Sequence, residues 1–203
     1  MNQITDIKIK PCGPYETNCY IVEYEDKSLI IDPGVGALEW IKKETTHPIA
    51  ILNTHCHFDH VWDNQITKKH FSIPIYTPKD DLFMIQDKTS INNNVPPSEP
   101  NVLIDNDDEF FIDDIAIKFV HLPGHTPGTS IIVIDDYIFS GDFVFANSIG
   151  RCDFPYSSPS DMKKSIHKFI ALDFMDKKIF PGHGSSTTLY KEQDNIAKWL
   201  DHI

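Results

Sequence analysis

The apolar run PIAILNT (48–54) passes without a break into HCHFDH (55–60), six residues that hold three histidines and an aspartate. A short continuous apolar run reads as a strand buried on both faces. Such a strand needs cover on each side, which points to packed layers of sheet and helix. The polar cluster then falls at the strand's end. A fold for this chain must satisfy both facts together.

The rest of the chain supplies the layers. Strands are expected at 4–10, 18–24, 27–32, 73–76, 109–112, 114–120, 129–135, 137–141 and 177–180, where Ile, Val, Phe and Tyr cluster between turn residues. Helices are expected at 37–47, stopping before Pro48, and at 61–70, 79–87, 160–172 and 189–203. Ser160 is the expected cap of the fourth helix. KTSINNNVPPSEPN (88–101) carries three consecutive Asn and three Pro. It reads as a long loop, a lid or a surface excursion. Each half runs strands first, then strand–helix pairs. Two sheets with helices outside would bury both sets of apolar strands, and no linker divides them. One domain spanning 1–203 is expected.

Composition excludes several classes. The 203 residues are 40% hydrophobic and 11% aromatic, values of a globular chain. A net charge of −12 repels phosphate backbones, so nucleic acid is not an expected partner. Residues 1–150 hold 10 Lys and Arg against 23 Asp and Glu, whereas residues 151–203 hold 8 against 7. An anionic ligand is therefore expected to meet the last quarter. No apolar run reaches membrane-spanning length, and MNQITDIKIKPCG lacks the pattern of a secretory signal. Cys12, Cys19, Cys56 and Cys152 are scattered, which reads as reduced thiols in a cytoplasmic protein.

Five of the ten histidines sit where a predicted strand meets a loop: His55, His57, His60, His125 and His183. Asp59 and Asp142 occupy the same kind of position. Strand ends on one sheet edge converge in space, so these residues can meet there. In an extended segment His55 and His57 point the same way, and Asp59 and His60 follow the turn. His125 lies in HLPGHTPGTS (121–130), Asp142 in FSGDF (139–143), and His183 between two glycines in FPGHGS (180–185). Imidazole nitrogen and carboxylate oxygen are ligands that zinc takes. Seven candidates exceed one tetrahedral site. They suit two divalent ions roughly 3.5–4 Å apart that share a carboxylate and a water. Zn²⁺ is the expected ion, with iron or manganese as alternatives. His47, His70, His121, His167 and His202 read as surface or capping groups.

At these residues the chain resembles the metallo-β-lactamase superfamily. HxHxDH is carried by His55, His57, Asp59 and His60, and is followed by His125, Asp142 and His183. The likeness extends to TNCYIV (17–22) and IDPG (31–34). It implies an α/β fold, a four-layer αβ/βα sandwich of two mixed sheets flanked by helices. It implies that His55, His57 and His125 hold one ion, that Asp59, His60 and His183 hold the other, and that Asp142 bridges. Asp32 of IDPG is expected to accept hydrogen bonds from the HCHFDH loop. Cys56 reads as filler. GDFVFANSIGRCDFP (141–155) is similar to the stretch after the bridging aspartate in the glyoxalase II-like, short hydroxyacylglutathione hydrolase-like group. The helical domain that contacts glutathione in full-length members of that group is expected to be absent.

The implied reaction is attack by a bridging hydroxide on a small-molecule thioester such as S-D-lactoylglutathione. Asp59 and Asp142 would be the catalytic carboxylates. A thiolate leaves readily because thiol pKa is about 8.5, whereas an amide nitrogen needs an acid. Arg151 is the candidate for an anionic substrate group, with a salt bridge to Asp153 as the competing use. The GRxDF stretch is also similar to mononuclear-iron persulfide dioxygenases. Hydrolysis of another ester, lactam or phosphodiester is a further alternative, as is a binding module that keeps the metal pocket without catalysis. Neither the oligomeric state nor the acyl group is legible.

Overall fold

The computed structural model describes residues 3–86 and 95–203. Its first half holds β1 (Asp6–Cys12), β2 (Thr17–Tyr24), β3 (Lys27–Ile31), α1 (Ala37–Glu44), β4 (Pro48–Leu52), α2 (Phe58–Val61), α3 (Asn64–Phe71), β5 (Ile75–Pro78), α4 (Leu82–Gln86) and β6 (Val102–Ile104). The second half holds β7 (Asp108–Ile112), β8 (Ile115–His121), β9 (Ser130–Ile134), β10 (Tyr137–Gly141), β11 (Val144–Phe145), β12 (Ser148–Ile149), α5 (Pro159–Ile170), β13 (Lys178–Pro181), β14 (Thr187–Thr188) and α6 (Leu189–Ile196).

Strands β1 to β6 form one sheet in sequence order. Its first two pairings are antiparallel and the next three parallel. The second sheet has the order β14-β13-β10-β9-β8-β7 and is antiparallel except for β10 against β13. Both sheets are thus mixed.

Alternation along the strands builds four layers. In β2, Tyr20 and Val22 face the second sheet, while Cys19 and Ile21 face the helices. The inner layer joins Leu29, Ile31 and Leu52 to Phe119, Ile132 and Phe139. On one outside, Ala37 and Ile41 of α1 cover Ile30 and Ile51. On the other, Met162, Ile166 and Phe169 of α5 cover Val120, Ile131 and Ile138. These central strands are apolar on both faces because both faces are covered, as expected for PIAILNT. Phe139 is fully buried; truncating such a ring to Ala costs about 3–5 kcal/mol.

Several boundaries differ from the sequence reading. The cap of α5 is Ser158, whose Oγ accepts the Asp161 N–H at 3.2 Å, and not Ser160. Pro159 takes the first helical position, where its missing N–H costs nothing, and this fixes the cap one residue earlier. The expected helix at 61–70 is two short helices, α2 and α3. Asp63 between them accepts the Leu38 N–H at 2.9 Å and so serves the start of α1. The helix expected at 37–47 ends at Glu44, where Thr45 turns extended and its hydroxyl pairs with Ser28 at 2.7 Å. The closing helix tightens into a 3₁₀ segment over Ala197–Asp201. Strand β6 begins just past the long loop's far boundary and was not expected, since three residues show no period. Of that loop, 88–94 lies outside the described residues, and 95–101 runs without regular structure. Among the described residues no helix is long and apolar enough to cross a membrane.

Candidate metal centre

The three parallel strands β3, β4 and β5 end side by side, and each delivers polar residues to the same edge. After β3 comes Asp32, after β4 the segment Asn53–His60, and after β5 Asp81. The second sheet delivers Asp142 after β10 and His183 after β13, with His125 in the loop between β8 and β9. Carboxyl ends of strands are where open α/β sheets gather ligands.

All seven residues named from the sequence meet there. One ligand atom each of His55, His57 and His125 lies within 4.8 Å of the others, and the same holds for Asp59, His60 and His183. Asp142 stands between the two groups. Its Oδ1 is 3.3 Å from His60 Nε2, and its Oδ2 is 3.4 Å from both His125 Nε2 and His183 Nε2. Asp32, His55 and His60 also converge, but Asp32 is already fully engaged.

Outer hydrogen bonds fix three of the rings, while His57 Nδ1 pairs with His125 Nε2 at 2.8 Å inside the cluster. His125 Nδ1 donates to the Arg151 carbonyl at 2.7 Å, and His183 Nδ1 to the Tyr15 carbonyl at 3.0 Å. His60 Nδ1 donates to Asp32 Oδ2 at 2.9 Å. Each bond leaves Nε2 turned inward, the arrangement by which a protein orients metal-binding imidazoles. Thr17 Oγ1 donates to Asp59 Oδ2 at 2.6 Å. Asp32 also accepts the Thr54 N–H at 2.9 Å and its hydroxyl at 2.6 Å. It therefore braces the entry to HCHFDH and one of its rings. Asp32 itself is buried at a positive φ of 48°, a conformation kept only where its surroundings over-determine it.

Three buried atoms at the centre have no hydrogen-bond partner among the described residues: His55 Nε2, His60 Nε2 and Asp142 Oδ1. The last two approach each other without hydrogen-bond geometry. Unsatisfied buried polar atoms are rare and call for an explanation. Unsatisfied nitrogen and oxygen atoms facing one space suit a cation, which at His60 would take the place of the Nε2 proton. Close backbone approach makes that space: a side chain on Gly182 would collide with Asp142 Oδ1 and lie 2.7 Å from the His60 ring.

Charge divides the cluster. Burial drives the His55, His57 and His125 rings below the usual imidazole range, His57 to about 3. Burial also acts against a charged His60 and His183, but the carboxylates beside them win. Asp142 and Asp59 raise His60 well up, and the same pair, each 3.4 Å from His183 Nε2, brings His183 to about 9. Asp59 and Asp142 are held below the carboxylate range by these partners in spite of burial.

A cavity of about 690 Å³ opens over the centre. Tyr15, Phe58, Phe145, Ile149 and Phe154 give it apolar walls. Arg151 lines it too, but its guanidinium makes a two-pronged bond to Asp153 at 2.8 Å and stacks 4.4 Å over Phe154. Cys56 packs with Val61, Met84 and Ile85, and burial pushes its thiol well up. His47, His70, His167 and His202 are exposed, and His121 bonds the Pro127 carbonyl.

Sequence reasoning missed Thr17 and Asp81. Thr17 opens the TNCYIV stretch that carries the likeness, but nothing there assigns its hydroxyl to Asp59. Asp81 follows an equally acidic Asp80 in KDD, and nothing in the string separates the buried one from the exposed one.

Likeness to known proteins gives the family. The sequence profile of the Metallo-beta-lactamase superfamily matches residues 12–183. Hydroxyacylglutathione hydrolase GloC of Haemophilus influenzae is 30% identical over 202 residues, covering 93% of this chain and 95% of that protein. The crystal structure of BLEG-1 B3 metallo-beta-lactamase superposes with a TM-score of 0.84 at 32% identity, over 93% of this chain and 97% of that one. TTHA1623, solved in a di-iron-bound form, superposes with a TM-score of 0.78 at 28% identity, over 93% and 98%. By its profile match, its layered fold and its relatives along nearly the whole length, the chain belongs to the metallo-β-lactamase superfamily.

Proposed function

We propose that the chain is a two-metal hydrolase of thioesters, with S-D-lactoylglutathione as the representative substrate. In this reading His55, His57 and His125 hold one divalent ion, and Asp59, His60 and His183 hold the other. Asp142 joins them, and Zn²⁺ is the proposed occupant. The observation that carries the metal reading is the set of three buried, partnerless ligand atoms aimed at one space. Bound divalent ions supply a Lewis acid for a carbonyl and lower the pKa of water toward ~7.

The chain's own groups supply the rest. Thr17 keeps one Asp59 oxygen directed, and Asp32 keeps His60 turned inward. The apolar walls exclude bulk water and strengthen the field at the reacting carbonyl. Besides the clustered histidines, Arg151 is the one cation that lines the cavity among the described residues, and it is paired. Tyr15 and Ser148 are the hydroxyls there. A wall without a strong acid favours a leaving group that departs as an anion. A thiolate does so and an amide nitrogen does not. Arg151 can still receive a substrate carboxylate, because an exposed ion pair is worth little and exchanges readily.

Likeness to GloC supports the thioester, and likeness to BLEG-1 makes β-lactam cleavage the second reading. The test is elemental analysis of the purified protein together with turnover of S-D-lactoylglutathione and of a chromogenic β-lactam, before and after chelation. Thioester turnover that is lost on chelation and returns with Zn²⁺ is the expected result. Turnover of the lactam alone would replace the thioester reading, and unchanged turnover after full metal removal would end both.

A further inference from the structure

One fully buried carboxylate lies under two loops that come from different sheets. Asp81 has no exposed surface. Its Oδ2 accepts the Cys56 N–H at 2.9 Å and the Thr126 hydroxyl at 2.7 Å. Its Oδ1 accepts the Gly128 N–H at 2.6 Å. Cys56 stands between His55 and His57, and Thr126 follows His125. A single side chain therefore spans both segments that carry the three clustered imidazoles.

The fit is close on each side. A side chain on Gly128 would come within 2.7 Å of the Asp81 carboxyl carbon, so only glycine lets that backbone N–H reach the oxygen. Thr129 Oγ1 accepts the Thr126 N–H at 2.8 Å and pairs with its hydroxyl at 2.7 Å, which stiffens the same turn. A buried carboxylate is unfavourable unless its oxygens are satisfied. Here three donors satisfy it, and all three belong to the loops beside the metal centre. The other half of the centre is held by other groups: Thr17 bonds Asp59, Asp32 bonds His60, and the Tyr15 carbonyl accepts from His183; Asp32 also reaches Thr54, whose hydroxyl pairs with His55 Nδ1 at 3.1 Å.

We propose that Asp81 is a positioning residue that fixes the distance between the His55–His57 segment and the His125 loop, and so sets the metal affinity of that cluster alone. This rests on the reading of the clusters as metal sites. Asp81 touches none of the ligands and acts through the backbone that carries them.

The experiment is a calorimetric Zn²⁺ titration of the metal-free full chain, backed by competition with a chromophoric chelator. Wild type, Asp81→Asn and Thr126→Val are compared, with His125→Ala marking which ion belongs to the imidazole cluster. Asn presents an amide donor to a backbone N–H at one end and spoils the three-way bond. Val removes one donor and keeps the shape of Thr126. The expected result is a loss of about 10- to 100-fold in affinity for the imidazole-cluster ion in Asp81→Asn, the range for groups that orient metal ligands. Thr126→Val should lose less, for the same ion, while the second ion keeps its wild-type affinity in both. Equal weakening of both ions, or of neither, would overturn the proposal, because a merely structural residue does not choose between sites. If Asp81→Asn does not fold, Thr126→Val is judged by the same criterion. A wild-type chain that takes up no Zn²⁺ would overturn the metal reading itself, and this proposal with it.

Discussion

The two halves of the metal centre share one sheet edge and differ in charge. The half made by His55, His57 and His125 is all imidazole, deeply buried and kept neutral by that burial. The half made by Asp59, His60 and His183 mixes carboxylate with imidazole, and its rings are raised until they carry protons. The first half is ready for a cation and carries no counter-charge of its own. In the second, the neighbouring carboxylates favour protonated rings, and an ion must displace those protons. Burial alone would have lowered every ring, so the carboxylates decide which half is charged.

Asp142 is the element common to both halves, and removing it should erase the distinction. Asp142→Ala is expected to lose both ions and at least about 10²–10³-fold in kcat, the scale of losing one main electrostatic element of a site. Elemental analysis and steady-state kinetics check it. Retention of one full ion would mean that the halves are independent.

Proton linkage sharpens the contrast. In the metal-free protein His183 holds its proton up to about 9, and an ion must displace that proton. Affinity of the mixed half should therefore rise with pH up to about 9, by at least roughly tenfold per unit, since His60 must give up its proton as well as His183. Affinity of the imidazole half should stay flat over the same window, since its rings are neutral throughout. Calorimetry in buffers of different ionisation enthalpy reads the released proton directly. The same shift makes the metal-free fold lose His183's contribution as pH rises from 6.5 through about 9. Thermal melts of His183→Gln should show a weaker decline.

Asp32→Asn tests the brace on the charged side. It should weaken the mixed-half ion by about 10- to 100-fold, through the freed His60 ring. Equal weakening of the imidazole half would show that Thr54, which Asp32 also holds, carries the effect across. The smallest effect belongs to the cavity wall. Because Arg151 and Asp153 are both exposed, Arg151→Ala should raise KM for a carboxylate-bearing thioester by only a few-fold, since solvent screens a surface pair. A thioester without a carboxylate should be unaffected.

Much of this was legible in the string, for physical reasons. Strands such as PIAILNT announce themselves because both faces must be apolar. His125, Asp142 and His183 were found because each stands in its own turn after or between apolar strands, next to glycine. What failed to show was local or relational. Ser158 rather than Ser160 caps α5 because Pro159 shifts the start. Strand β6 is too short for any period. Asp81 is chemically the twin of Asp80 in sequence, and only the meeting of β5 with the 125–128 loop buries one of them. Roles that depend on which loop lies overhead cannot be read from neighbours along the chain.

Anomalous diffraction from crystals of the Zn²⁺-loaded protein, collected across the zinc edge, is the most direct measurement. Two peaks roughly 3.5–4 Å apart are expected, one among His55, His57 and His125 and one among Asp59, His60 and His183, with Asp142 between them. No peak at this edge, or a single ion bound elsewhere in the chain, would contradict the two-metal centre on which the proposed hydrolysis depends.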